Sequence, residues 1–231
     1  MFFSKIKNRF QSYFKNYKHQ SSRITLLDYY DDSPTISLEE KHLRNAKVFV
    51  DRGALLKYFM PKKAICAEVG IAEGDFSDFI YKQKNPRELH LIELSNQFVN
   101  TCQKRFKKQI ASKEIFIHQG FSYEVIETFP DNYFDWVYID GDHSYETVKK
   151  DLLASDIKIK NDGFIMLDDY IHFSYQEMLQ YGVVKAVNEF CNEHNYEILG
   201  ISISGSQKIK DSISGGKIRA NEYSNAILKR L

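Results

Sequence analysis

Short apolar runs alternate with amphipathic stretches through the middle of the chain. AICAEVG at 64–70 is followed by GDFSDFIYKQ at 74–83, in which the apolar positions return at helical spacing. ELHLIEL at 88–94 precedes a helical pattern at 95–108, and EIFIHQG at 114–120 precedes one at 123–129. YFDWVYID at 133–140 leads into a helix at 145–159, and GFIMLDD at 163–169 is the fifth such run. Runs of this length bounded by turn residues read as buried strands, and parallel strands need crossover helices between them. The pattern therefore predicts an α/β fold, a Rossmann-like doubly wound sheet. Upstream, 48–59 reads as a helix ending before Pro61, and Ser37 reads as an N-cap with Glu40 three residues on.

The alternation breaks at the end of the chain. After a helical pattern at 178–194, YEILGISIS (196–204) and NAILKRL (225–231) are separated by a polar loop with no crossover helix. They are expected to pair antiparallel at the end of the sheet. The first 25 residues differ again: they carry Lys5, Lys7, Arg9, Lys15, Lys18 and Arg23 and no acid. Phe3, Ile6, Phe10, Tyr13, Phe14 and Tyr17 recur at helical spacing, so a basic amphipathic helix is expected. This divides the chain into an N-terminal helical extension, 1–45, and a second domain, 46–231. The helix suits docking on its own domain, on a second copy as a homo-oligomer, or peripherally on an anionic membrane.

Composition narrows the partners. With 32 basic and 31 acidic residues there is no global field that points to nucleic acid. Cys66, Cys102 and Cys191 are odd in number and far apart, which reads as reduced thiols in a cytoplasmic protein. No window has the apolar length of a membrane span.

Candidate chemistry collects where strands end. Gly70, Ala72 and Gly74 leave room for a ligand to approach the backbone at a strand-to-helix turn, beside the free N–H groups of the helix. A tight turn alone would also want glycine. Glu93, about 20 residues further on, closes the second strand, where an acid can grip the hydroxyls of a ribose. Gln119, Gly120 and Phe121 end the third strand, suitably placed to frame an adenine. Glu68, two residues before Gly70, would repel a pyrophosphate but tolerate a cationic amino-acid portion, which favours S-adenosyl-L-methionine over a dinucleotide.

The fourth and fifth strands end in IDGDHSYE and DD. Asp140, Asp168 and Asp169 should therefore emerge at one sheet edge, and three clustered acids repel one another unless a cation sits among them. Oxygen ligands suit Mg²⁺. Helix capping by Asp140 or Asp142 and a simple turn at 168–169 are the competing readings. His143 stands at the mouth of the same crevice as a candidate base for a substrate hydroxyl, with Asp140 as a second proton acceptor. Tyr145, Tyr170 and His172 lie close by, and Trp136 reads as core.

The motifs AEVGIAEGDFS, LHLIELS, YIDGDHSYETVKKDL and DGFIMLDDY resemble those of class I S-adenosylmethionine-dependent methyltransferases, most closely the macrocin-type sugar O-methyltransferases. The resemblance covers about the middle half of the chain. It implies a seven-stranded sheet with the last strand inserted antiparallel, and cofactor contacts at Glu68, Gly70, Gly74, Glu93 and Gln119. It also implies metal ligands at Asp140, Asp168 and Asp169, and a histidine at 143 where catechol-type relatives carry a lysine base. The expected activity is Mg²⁺-assisted methyl transfer to a hydroxyl of a small molecule such as a sugar or sugar nucleotide. A metal-independent N- or O-methyltransferase, a non-catalytic cofactor-binding module and, more distantly, an NAD-linked oxidoreductase are the alternatives.

Overall fold

The computed structural model describes residues 35–174, 179–204, 207–210, 217–220 and 223–231. The amphipathic pattern at 3–17 lies outside them. A single 3-10 turn, Glu40–His42, leads into β1 (Lys47–Phe49), α1 (Arg52–Phe59), β2 (Ile65–Val69), α2 (Asp75–Lys84) and β3 (Glu88–Glu93). Next come α3 (Asn96–Arg105), α4 (Lys107–Ala111), β4 (Ile115–Gln119), α5 (Ser122–Glu127), β5 (Phe134–Ile139), α6 (Tyr145–Lys158) and β6 (Ile159–Leu167). The chain ends with β7 (Phe173–Ser174), β8 (Leu179–Gln180), α7 (Val183–His194), β9 (Tyr196–Ser204), β10 (Gln207–Lys210), β11 (Lys217–Ala220) and β12 (Tyr223–Arg230).

β2 is buried at every position, as a central parallel strand covered on both faces must be. Alternate side chains of the sheet divide the core in two. Ala67, Val69, Val137 and Ile139 pack with Val148 and Leu152 of α6 and with Val187 and Phe190 of α7. Cys66, Leu89, Leu91, Trp136 and Tyr138 pack on the other side with Leu55, Leu56, Ile80, Cys102 and Phe106. Trp136 is core, as expected.

The sheet order is β1-β9-β12-β6-β5-β2-β3-β4. β4, β3, β2, β5 and β6 run parallel, and β12 is antiparallel to both β6 and β9. This is the expected doubly wound sheet with an antiparallel last strand, extended by one edge strand. That extra strand corrects the reading of 48–59 as one helix: residues 47–49 pair parallel with β9 instead. The helix starts only at Arg52 because Asp51, in extended conformation, accepts from the Ala54 N–H at 2.7 Å and caps it.

Three other boundaries moved for local reasons. Ser37 caps nothing; the short turn has Glu39 at its N-cap and no side-chain cap bond. The last helix starts at Val183, after Leu179 and Gln180 pair as β8 with β7 and Gly182, with no room for a Cβ beside Tyr145, takes the N-cap position. The polar segment between β9 and β12 contains β10 and β11, paired antiparallel.

Asp151, within α6, is fully buried, and neither of its carboxylate oxygens has a hydrogen-bond partner of good geometry. Burial pushes its pKa up to about 7, with Asp142 adding to the rise and the Ser122 hydroxyl opposing it. The folded state keeps this proton while the unfolded chain releases it near its ordinary value of about 4, so stability falls as pH rises towards 7. Asp151→Asn is expected to stabilise the protein more at pH 8 than at pH 5, by about 2 kcal/mol in chemical denaturation. An equal gain at both pH values would contradict this.

Candidate functional site

Backbone bonds tie the ends of the central strands into one edge. The Gly70 N–H donates to Ile92 O at 3.0 Å, Asp140 N–H to Val69 O at 2.9 Å, and Asp168 N–H to Ile139 O at 2.9 Å. The loop after β2 crosses the end of β5 so closely that a Cβ on Gly70 would lie 1.9 Å from Asp140 O, and Gly70 has φ +77°. Only glycine fits there. Gly74 (φ +80°) lies against the side chains of Phe106 and Cys102, 2.8 and 3.0 Å from where a Cβ would stand, and Ala72 between the two glycines takes φ +47°.

Glu93 holds this loop. One carboxylate oxygen accepts from the N–H groups of Ile71 at 3.2 Å and Ala72 at 3.3 Å, and the other from Ser95 N–H at 2.8 Å. With about four lone-pair sites on a carboxylate and three taken, acceptor capacity on Oε1 is left for one ribose hydroxyl. Gln119 is the register partner of Glu93, and Gly120 N–H donates to Glu93 O at 3.2 Å. Phe121 is half exposed beside them, its ring stacked 5.9 Å from that of Tyr123. The residues expected to touch a nucleoside thus lie along one edge. Glu68 is the exception in exposure. It is buried beneath the loop, and burial, reinforced by Asp140, raises its pKa to about 8, against the opposing influence of Ser77 and Arg52. Its Oε2 has no hydrogen-bond partner.

Asp140, Asp168 and Asp169 do meet, and two basic side chains, Arg52 and His143, lie among them. Arg52 Nη1 is 3.4 Å from Asp140 Oδ2 and 3.3 Å from Asp168 Oδ2, and donates to the Tyr138 hydroxyl oxygen at 3.1 Å. Its guanidinium lies over Phe76, 4.1 Å from the ring centre. His143 Nε2 is 3.6 Å from Asp169 Oδ2 and 3.8 Å from Asp140 Oδ1, with its ring stacked 4.5 Å from Tyr181. Asp168 also accepts from Asn225 Nδ2. Burial, then Asp140 and Asp169, hold the Asp168 carboxyl well above the usual range. For His143, burial favours the neutral ring, but Asp140, Asp169 and Asp168 outweigh it and raise its pKa.

This arrangement does not fit the Mg²⁺ expected at Asp140, Asp168 and Asp169. Among the described residues no group of three or more His, Cys, Asp or Glu side chains is arranged to hold a metal ion. The reasoning that clustered acids need a cation holds, but the cation is a side chain. An Mg²⁺ shell requires several oxygens at about 2.1 Å in near-octahedral array, whereas the Asp140 and Asp168 oxygens here face a guanidinium.

Other residues near the crevice have partners within the fold. Asp142 accepts from Ser144 Oγ at 2.7 Å and Thr147 Oγ1 at 2.8 Å, fixing the start of α6. Tyr145 donates to Glu189 at 2.6 Å and Tyr170 to Asn188 at 2.7 Å, both on α7. His172 is exposed outside the cluster. Arg52, Tyr138 and Asn225 were not foreseen. The one signal for Arg52 was the unmatched charge at the strand ends, which demands a cation from somewhere.

Comparison with known proteins agrees with the geometry. Residues 67–170, from β2 to just beyond β6, match a family model described as a methyltransferase domain. A protein of Acanthamoeba polyphaga mimivirus, "Uncharacterized protein R132", is 23% identical over 168 residues, covering 68% of this chain and 76% of its own. The precorrin-6y C5,15-methyltransferase of Geobacter metallireducens has the same fold, with TM-score 0.56, 16% identity, and 88% of this chain and 94% of that one covered. A TehB-like SAM-dependent methyltransferase of Corynebacterium glutamicum aligns with TM-score 0.51 and 12% identity over 78% of this chain and 86% of its own. The methyltransferase-domain match over residues 67–170 and the shared fold together support an S-adenosylmethionine-dependent methyltransferase as the class.

The crossing of the loop over β5 gives a direct check. Gly70→Ala is expected to lower stability by on the order of 2–4 kcal/mol and to abolish calorimetric binding of S-adenosylhomocysteine. An alanine variant with unchanged melting and binding would contradict the close approach.

Proposed function

We propose that the protein transfers the methyl group of S-adenosylmethionine to a hydroxyl of a small molecule, without a divalent ion. The acceptor class, a sugar or sugar nucleotide, follows from the resemblance to macrocin-type enzymes. The observation that carries the cofactor reading is the Glu93 carboxylate clamped on the loop N–H groups opposite Gln119. A ribose hydroxyl would donate to Glu93, with adenine beside Gln119, Gly120 and Phe121. Burial raises the Glu68 and Asp168 carboxyls, so they line the crevice more as hydrogen-bonding groups than as charges, while Asp140 and Asp169 beside Arg52 and His143 would oppose the extra anion of a pyrophosphate.

Bound S-adenosylmethionine supplies an electrophilic methyl sulfonium. The chain's own task is then to align the acceptor oxygen and take its proton, and alignment alone can lower the barrier by several kcal/mol. His143 Nε2, near the two carboxylates yet with no hydrogen-bond partner of its own, would receive that proton as the C–O bond forms and the C–S bond breaks. Asp140 and Asp169 would stabilise the imidazolium, and Tyr181 keeps the ring in plane. S-Adenosylhomocysteine and a methyl ether are the products.

The test is transfer of labelled methyl groups from S-adenosylmethionine to a panel of sugars and sugar nucleotides in excess chelator. We expect rates within about twofold of those in Mg²⁺, and a kcat roughly 10²-fold lower for His143→Asn with unchanged cofactor affinity. Loss of transfer in chelator with recovery in Mg²⁺, or full activity of the variant, would contradict the mechanism.

A further inference from the structure

We infer that Arg52 is the cation of the acid cluster, standing where a divalent ion would otherwise bind, and that removing its charge opens a metal site at Asp140 and Asp168. The inference concerns ion binding and does not rest on the acceptor or on catalysis. A single nitrogen atom, Arg52 Nη1, lies within 3.4 Å of carboxylate oxygens from two neighbouring strands and 3.1 Å from the Tyr138 hydroxyl. Three oxygens around one positively charged atom describe a cation position.

The position is built, not incidental. Asp51 caps α1 and so fixes Arg52 in the first turn of that helix. Phe76 lies under the guanidinium at 4.1 Å, held in turn by Phe79 and Tyr138 at ring distances of 5.5 and 4.9 Å. On the acid side, Asn225 fixes the other oxygen of Asp168, and the strand ends are locked by the Asp168 N–H to Ile139 O bond. Withdrawing the guanidinium removes the one charge that faces both the Asp140 and Asp168 oxygens and leaves His143 and Asn225 as their remaining partners, so a small cation could take its place. With water completing the shell, oxygen donors of this kind select hard ions.

Terbium is a suitable probe, because it replaces hard divalent ions and its luminescence is sensitised by a nearby phenol, here Tyr138. Titration would compare the wild-type protein, Arg52→Gln, and Arg52→Gln combined with Asp168→Asn. Arg52→Met, which keeps an aliphatic stem over Phe76, serves if the glutamine variant does not fold. The expected result is an Asp168-dependent terbium site in the Arg52 variant that binds roughly tenfold or more tightly than any in the wild type. Mg²⁺ or Ca²⁺ should raise the melting temperature of that variant and leave the wild type unmoved. An Asp168-dependent site already present in the wild-type protein at similar affinity would overturn the inference, as would a folded Arg52 variant with no such site.

Discussion

Carboxylates drawn out of water at the ends of neighbouring strands are tolerable only when positive charge comes with them. In this protein Glu68, Asp140, Asp168 and Asp169 gather at the ends of β2, β5 and β6, and Arg52 reaches in from α1 to face two of them. The edge strand β1 and the cap at Asp51 come just before Arg52 and place it at the start of α1. The guanidinium remains partly exposed, so its energetic worth is modest compared with that of a fully buried pair. Its consequence is chemical: it sets the charge of the crevice and takes the place open to an ion.

The same edge carries the proposed nucleoside half of the site, organised by geometry more than by charge. Gly70 lets one loop cross another strand's backbone, and Glu93 gathers the N–H groups that the crossing leaves pointing outward. This is the topological switch point of a doubly wound sheet, where β2 turns one way to β3 and the other way to β5. The Glu93 loop and the acid cluster are therefore neighbours by topology, and under the proposed function a methyl donor held by the first would face the groups of the second.

The fold was largely legible in the sequence because burial on both faces leaves an unbroken apolar run, as in ICAEV of β2, while crossover helices show their own period. The acids of the site were equally visible, since a charged residue closing an apolar run has few structural uses. What the pattern hid was short or distant. β1 is three residues long, too short for alternation to distinguish it from a helix start. Arg52 and Asn225 lie 88 and 57 residues from the acids they meet, at Asp140 and Asp168, and nothing local announces a partner across that span. Acids gathered at one strand edge call for a cation, and a sequence pattern does not distinguish a metal ion from an arginine 88 residues away.

The account stands on the cofactor clamp, and calorimetric titration with S-adenosylhomocysteine in excess chelator tests it most directly, using the wild-type protein and Glu93→Ala. Micromolar binding by the wild type, weakened roughly tenfold or more in a variant that still folds, is the predicted result. Absence of binding to the folded wild-type protein, or equal affinity in both proteins, would contradict it.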